Sequence, residues 1–209
     1  AAKTKVLVAL GPTESSNIWD KVNSIRGQLP DLKTIVRVAG DGECPPDVLQ
    51  FEAELPKYAA DALASDRTIT SEDTAAYFHT GGTTGTPKLV PHTHGNQVYQ
   101  AWAMSLTTPS QPGDKLLFGL PLFHVGGALT QGLAALANGG SLVVLSAVGW
   151  RHPSAIRNIW RLVERFKART LGGVPTVLGA AMGVPIGDAD VSSLVCSSGG
   201  GSAIPVAVC

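Results

Sequence analysis

Short apolar runs alternate along this chain with stretches in which apolar residues recur every three or four positions, a pattern that predicts strands and helices in turn. Lys3 to Leu10 is β-rich and ends at Gly11-Pro12, so it reads as a buried strand running into a turn. Ser15, Ser16 and Asn17 then offer cap oxygens to a helix carrying Ile18, Val22, Ile25 and Leu29 as far as Pro30, and Thr34 to Ala39 follows as a second strand. Between Gly40 and Pro56 the composition shifts to Gly, Pro, Asp and Glu around Cys44-Pro45-Pro46, which predicts a surface excursion.

Beyond a turn at Thr70 to Asp73, Ala75 to His79 and Leu89 to His92 read as strands on either side of a Gly/Thr loop. A helix over Asn96 to Leu106 is expected to bury Val98, Trp102 and Leu106 as its apolar stripe. Lys115 to Leu120 is a strand closed by Pro121, Ala128 to Ala137 a helix stopped by Asn138-Gly139-Gly140, and Ser141 to Leu145 a strand. Pro153 to Ala168 is the clearest helix, with Ile156, Ile159, Trp160, Val163 and Phe166 on one side and a charged, solvated face on the other.

This order predicts an α/β fold, a layered sheet lobe covered by helices on both faces. Residues 1–70 hold the first strand-helix-strand and the excursion, and residues 71–209 hold the rest. The last strand, Leu194 to Ser197, runs into a glycine cluster, and the chain stops where the next covering helix is expected, so it reads as truncated.

Composition narrows the function. Sixteen basic side chains balance sixteen acidic ones, which leaves no field to draw nucleic acid or an anionic membrane. Three cysteines with no C-x-x-C spacing, Cys44, Cys196 and Cys209, argue against a disulfide framework and a zinc site and fit a reducing, cytoplasmic setting. No apolar stretch approaches the roughly 18 residues of a transmembrane span.

The candidate chemistry lies in Phe78-His79-Thr80-Gly81-Gly82-Thr83-Thr84-Gly85-Thr86-Pro87-Lys88. Three glycines let several backbone N–H groups converge on one anion, the threonines add hydroxyl donors, and Lys88 supplies the charge that a triphosphate and its leaving pyrophosphate need. Pro87 holds Thr86 extended. The loop is not a Walker A motif, because Lys88 follows proline and leads into Leu89-Val90-Pro91 instead of opening a helix. A G-x-G-x-x-G dinucleotide turn is absent too. The bland alternative is a flexible Gly/Thr turn joining two hairpin strands.

Thr80 to Lys88 resembles the phosphate-binding signature of the adenylate-forming superfamily, which includes acyl-CoA synthetases, luciferases and peptide-synthetase adenylation domains. Leu120-Pro121-Leu122-Phe123-His124, Gly173-Val174-Pro175-Thr176 and Ser198-Gly199-Gly200-Gly201 resemble three further family segments in order and spacing. The resemblance implies part of a larger N-terminal adenylation domain, with the C-terminal domain absent. It implies that Thr80, Gly81, Gly82, Thr83, Thr84, Gly85 and Lys88 contact the β and γ phosphates of ATP. His124 would sit beside the acid's carboxylate and the α-phosphate, and Gly199, Gly200 and Gly201 would border the adenine and the acyl tunnel. Gly81 stands where many members have serine, and Gly200 to Pro205 departs from the usual Gly-Gly-Ala-Pro pattern.

The implied reaction activates a carboxylic acid, a fatty acid being favoured, with ATP and Mg²⁺ to an acyl adenylate, from which coenzyme A displaces AMP. The isolated chain is expected to be inactive. An ATP-dependent phosphotransferase and a non-catalytic nucleotide-binding module are the competing readings, separated by whether AMP, ADP or neither is produced. Among other residues, His92 and His94 would share a strand face in a hydrogen-bonding role, with no third metal ligand nearby. His79 is expected to support the loop, Trp102 and Trp160 to pack in the core, and Cys196 to be a buried free thiol.

Overall fold

In the computed structural model, which describes residues 3–61, 65, 67–81, 88–108 and 110–206, the chain divides into two units, Ala1–Thr68 and Ile69–Cys209. In the first, the apolar run forms β1 (Val6–Leu10), the amphipathic stretch forms α1 (Ile18–Ile25), and the chain returns as β2 (Thr34–Val38), parallel to β1. Trp19 and Val22 of α1 pack on Ile35 and Val48, while Ile18 and Ile25 stay exposed.

The stretch from Gly40 to Pro56 is more ordered than an excursion. It contains β3 (Leu49–Gln50), a third parallel strand, and α2 (Phe51–Glu54), and it buries Val48. The organising residue is Arg37, only 3% exposed. Its guanidinium donates to the carbonyls of Ala39, Gly40, Asp41, Gly42 and Glu43 at 2.7 to 3.1 Å. A cation that cannot lose its proton is buried only where acceptors surround it, and here five loop carbonyls do so.

The second unit begins with an antiparallel hairpin, β4 (Thr74–His79) and β5 (Leu89–Thr93), in which His79 faces Leu89. It continues into α3 (His94–Thr107), fixed at its start by a reciprocal cap: Asn96 N–H donates to Thr93 Oγ1 and Thr93 N–H to Asn96 Oδ1, both at 3.1 Å. His94 thus opens a helix and shares no strand face with His92. The buried His92 Nδ1 has no hydrogen-bond partner among the described residues, and the ring packs on Phe78, 5.0 Å between centroids. The α3 stripe is corrected as well: Val98, Trp102 and Leu106 are exposed, and Ala101 is the buried residue.

A four-stranded, all-parallel sheet follows, formed by β6 (Lys115–Phe118), β7 (Ser141–Val144), β8 (Thr170–Gly173) and β9 (Cys196–Gly199) in the order β7-β6-β8-β9. The connection from β6 to β7 was expected to be one α-helix, but it is a π-helix, Gly126–Leu133, continued by one α turn, α4 (Ala134–Ala137). The expected helix from Pro153 to Ala168 is two, α5 (Pro153–Arg157) and α6 (Ile159–Phe166), broken at Asn158. A helix not anticipated, α7 (Pro175–Met182), starts with proline at its first position, where the missing N–H costs nothing.

Leu117 of β6, Ile159 and Val163 of α6, and Leu171 of β8 form the core with Trp150, and Trp160 packs beside them with its Nε1 on the Val184 carbonyl at 2.7 Å. The polar face of α6 is not merely solvated: Arg161 pairs with Glu164 and Asp188, and Lys167 with Asp190 at 2.6 Å. Among the described residues no helix is long and apolar enough to cross a membrane.

Candidate active site

Antiparallel pairing of β4 with β5 brings the two ends of the Gly/Thr segment, Thr80 and Lys88, together. Its neck is closed by two bonds, Thr80 N–H to the Lys88 carbonyl at 2.9 Å and Lys88 N–H to Thr80 Oγ1 at 3.2 Å. Thr80, Gly81 and Lys88 are exposed, while Gly82, Thr83, Thr84 and Gly85 lie outside the described residues. A Cβ on Gly81 would meet no described atom within 4 Å, so no packing among the described residues demands glycine there. His79 supports the neck by stacking on Phe123, 6.3 Å between centroids at 25°, which sets the neck beside the segment carrying His124.

That segment leaves the sheet where the chain order reverses. β7 lies on one side of β6 and β8 on the other, so the loops after β6 and β8 diverge, and such a point at the carboxyl ends of parallel strands is where ligand crevices form. A cavity of about 520 Å³ is found here, a volume suited to a small organic ligand. Leu120, Pro121, His124, Val125 and Gly126 line it after β6, Gly173 and Val174 after β8, and Ser198, Gly199, Gly200 and Gly201 at the end of β9. It runs on past Gln131 of the π-helix to Leu116 and Thr170 in the sheet.

The structure therefore gathers His124 and the three glycines into one cavity, although 75 residues separate His124 from Gly199. The glycines differ in their reasons. A Cβ on Gly199 would come within 2.8 Å of Leu178 Cδ1, Gly200 faces open space, and Gly201 has φ +88°, which disfavours any side chain. Cys196, expected to be buried, is only half-buried, and Cys44 and Cys196 are free.

Sequence reasoning did not find Gln131, Trp150 or Gly172. Gln131 reaches over β8, where a Cβ on Gly172 would lie 2.2 Å from its Nε2, and its buried Oε1 has no partner among the described residues. Trp150 Nε1 donates to the Gly172 carbonyl at 2.9 Å. The paired glycines 172 and 173 directly after Thr170 and Leu171 were the available signal. Among the described residues no group of three or more His, Cys, Asp or Glu could hold a metal ion.

The profile of the AMP-binding enzyme family matches residues 1–209. Marinolic acid–CoA ligase of Pseudoalteromonas sp. (strain SANK 73390) is 33% identical over 97% of this chain and 31% of its own length. The 2-succinylbenzoate–CoA ligase of Bacillus subtilis (strain 168) is 29% identical over 62% of this chain and 25% of its own length. The crystal structure of the anthranilate CoA ligase AuaEII with anthranoyl-AMP shares the fold at a TM-score of 0.80, with 24% identity over 99% of this chain and 38% of that one. The chain thus spans between a quarter and two fifths of the length of these relatives.

Proposed function

This chain belongs to the AMP-binding enzyme family, and from that premise we propose that the longer protein activates a carboxylic acid with ATP and transfers the acyl group to coenzyme A. The observation that carries the reading is the hairpin neck at Thr80 and Lys88 set beside a cavity walled by His124 and Gly199 to Gly201. In the first step the acid's carboxylate attacks the α-phosphorus of ATP, the bond to pyrophosphate breaks, and an acyl adenylate forms. In the second a coenzyme A thiolate attacks the acyl carbon and AMP leaves.

The protein's share is to position and to neutralise charge. Thr80, Gly81, Gly82, Thr83, Thr84 and Gly85 offer N–H and hydroxyl donors to the β and γ phosphates, and Lys88 offers a cation to the departing pyrophosphate. The cavity takes the acid, with His124 beside its carboxylate and Gly199, Gly200 and Gly201 leaving room for adenine and acyl chain. Leu116, Leu120 and Val125 in the wall favour an apolar body, for which a fatty acid is proposed. Magnesium finds no cluster of ligating side chains among the described residues, and no step is routed through it.

The test is acid-dependent ATP–pyrophosphate exchange by the full-length protein over fatty and aromatic acids, with Lys88→Ala beside it. Exchange is expected to require an acid and to fall by about 10²–10³-fold in the variant. ATP consumed to ADP, or bound without turnover, would replace this reading with a phosphotransferase or a binding module. Because the relatives are roughly three times as long, the 209-residue chain alone is proposed to show no exchange.

A further inference from the structure

The His124 ring is held by the backbone of its own turn. Gly126 N–H donates to Nδ1 at 3.0 Å, while the N–H groups of Gly127 and Ala128 both go to the His124 carbonyl, at 3.0 and 2.9 Å. A ring nitrogen that accepts a hydrogen bond carries no proton, and a neutral imidazole has only one to place, so it lies on Nε2. No described residue hydrogen-bonds Nε2, and the ring is exposed in the wall of the 520 Å³ cavity. A Cβ at position 126 would stand 3.2 Å from Nδ1, so the ring would have to shift by a few tenths of an ångström to admit it.

We propose that His124 acts as a neutral donor through Nε2–H, locked in that tautomer by the Gly126 N–H, and that it is not the base for either half-reaction. The proposal rests on the ligase reading above. When the thiolate adds to the acyl carbon, the carbonyl electron pair moves onto the acyl oxygen, and Nε2–H stabilises that charge. The pair returns to re-form the carbonyl as the bond to the AMP oxygen breaks, and no proton enters or leaves the ring. Gly126 is a positioning residue that acts through the imidazole.

Glutamine can place an amide N–H near the position of Nε2 but has no basic nitrogen, so it separates a donor from a base. In the full-length protein, His124→Gln is expected to lose about tenfold in exchange and thioester formation, against about 10²–10³-fold for His124→Ala. Nitrogen-15 NMR of the imidazole in the unsubstituted protein is expected to show the Nε2–H tautomer, and Gly126→Ala to show a mixture of the two tautomers. Glutamine falling as far as alanine, or an Nδ1–H signal in the unsubstituted protein, would overturn the proposal. Absence of acid-dependent exchange without any substitution would instead remove the ligase reading and the donor role together, while the tautomer is still read by NMR.

Discussion

Trp150 and Arg37 show how much of this protein turns on single side chains facing backbone. The Trp150 ring occupies the space that a Cβ on Gly119 would need, 2.7 Å from Cγ, while its Nε1 satisfies the Gly172 carbonyl beside the cavity. Trp150→Phe keeps most of the ring and loses the bond, so urea denaturation should register a loss of about 1–3 kcal/mol. Arg37 is surrounded by five carbonyls, which the compact ammonium of a lysine cannot reach together. Arg37→Lys should cost a similar ~1–3 kcal/mol and speed proteolysis within residues 39–43. Neither role was legible in the sequence, because a lone tryptophan in a turn and a lone arginine in a strand carry no periodic signal. His124 and the Thr80-to-Lys88 loop stood out as candidates, because their local motifs stand apart from the pattern of the core.

At the scale of elements, periodicity placed α3 within two residues at each end but misjudged which side it buries. Spacing shows that Val98, Trp102 and Leu106 share a face; whether anything covers that face depends on the neighbours, and in this chain they are 66%, 55% and 68% exposed. Trp102→Gln in the 209-residue chain should therefore change stability by no more than about 0.5 kcal/mol. Ile159→Ala, at a fully buried position of α6, should cost about 2–5 kcal/mol in the same denaturation experiment. The π-helix escaped the reading for a related reason. Its apolar spacing resembles that of an α-helix, and the wider turn arises where Gly127 lies so close to the Pro121 carbonyl that a Cβ would come within 2.2 Å.

Over the whole molecule, charge decides how the chain meets acid. Asp190 is held below the usual carboxylate range, first by its bond from Lys167 and then by Ser192; Glu164 is lowered by Arg161 and the Asp190 N–H. Glu52 is lowered by its own N–H, then by that of Ala39, then by Gln50. Groups with depressed folded values contribute stability that is complete above their unfolded values, roughly pH 4, and is lost as pH falls through the folded ones. Arg161 and Lys167 are raised, so their contribution is complete below the unfolded values and is lost only at strongly alkaline pH. Thermal melting should be nearly flat from about pH 5 to 9 and fall below about pH 4, and Asp190→Asn should lessen that fall; because these pairs are exposed, the effect is small and weakens with salt. By itself the sequence determined the α/β class, most strands and the family, because periodicity and compact motifs are local properties. Tertiary structure alone decided the strand order β7-β6-β8-β9, the cavity uniting His124 with Gly199 to Gly201, and the face of α3 left uncovered. Each of these depends on which distant segments become neighbours, and parallel pairing through long crossovers leaves no local trace of that choice.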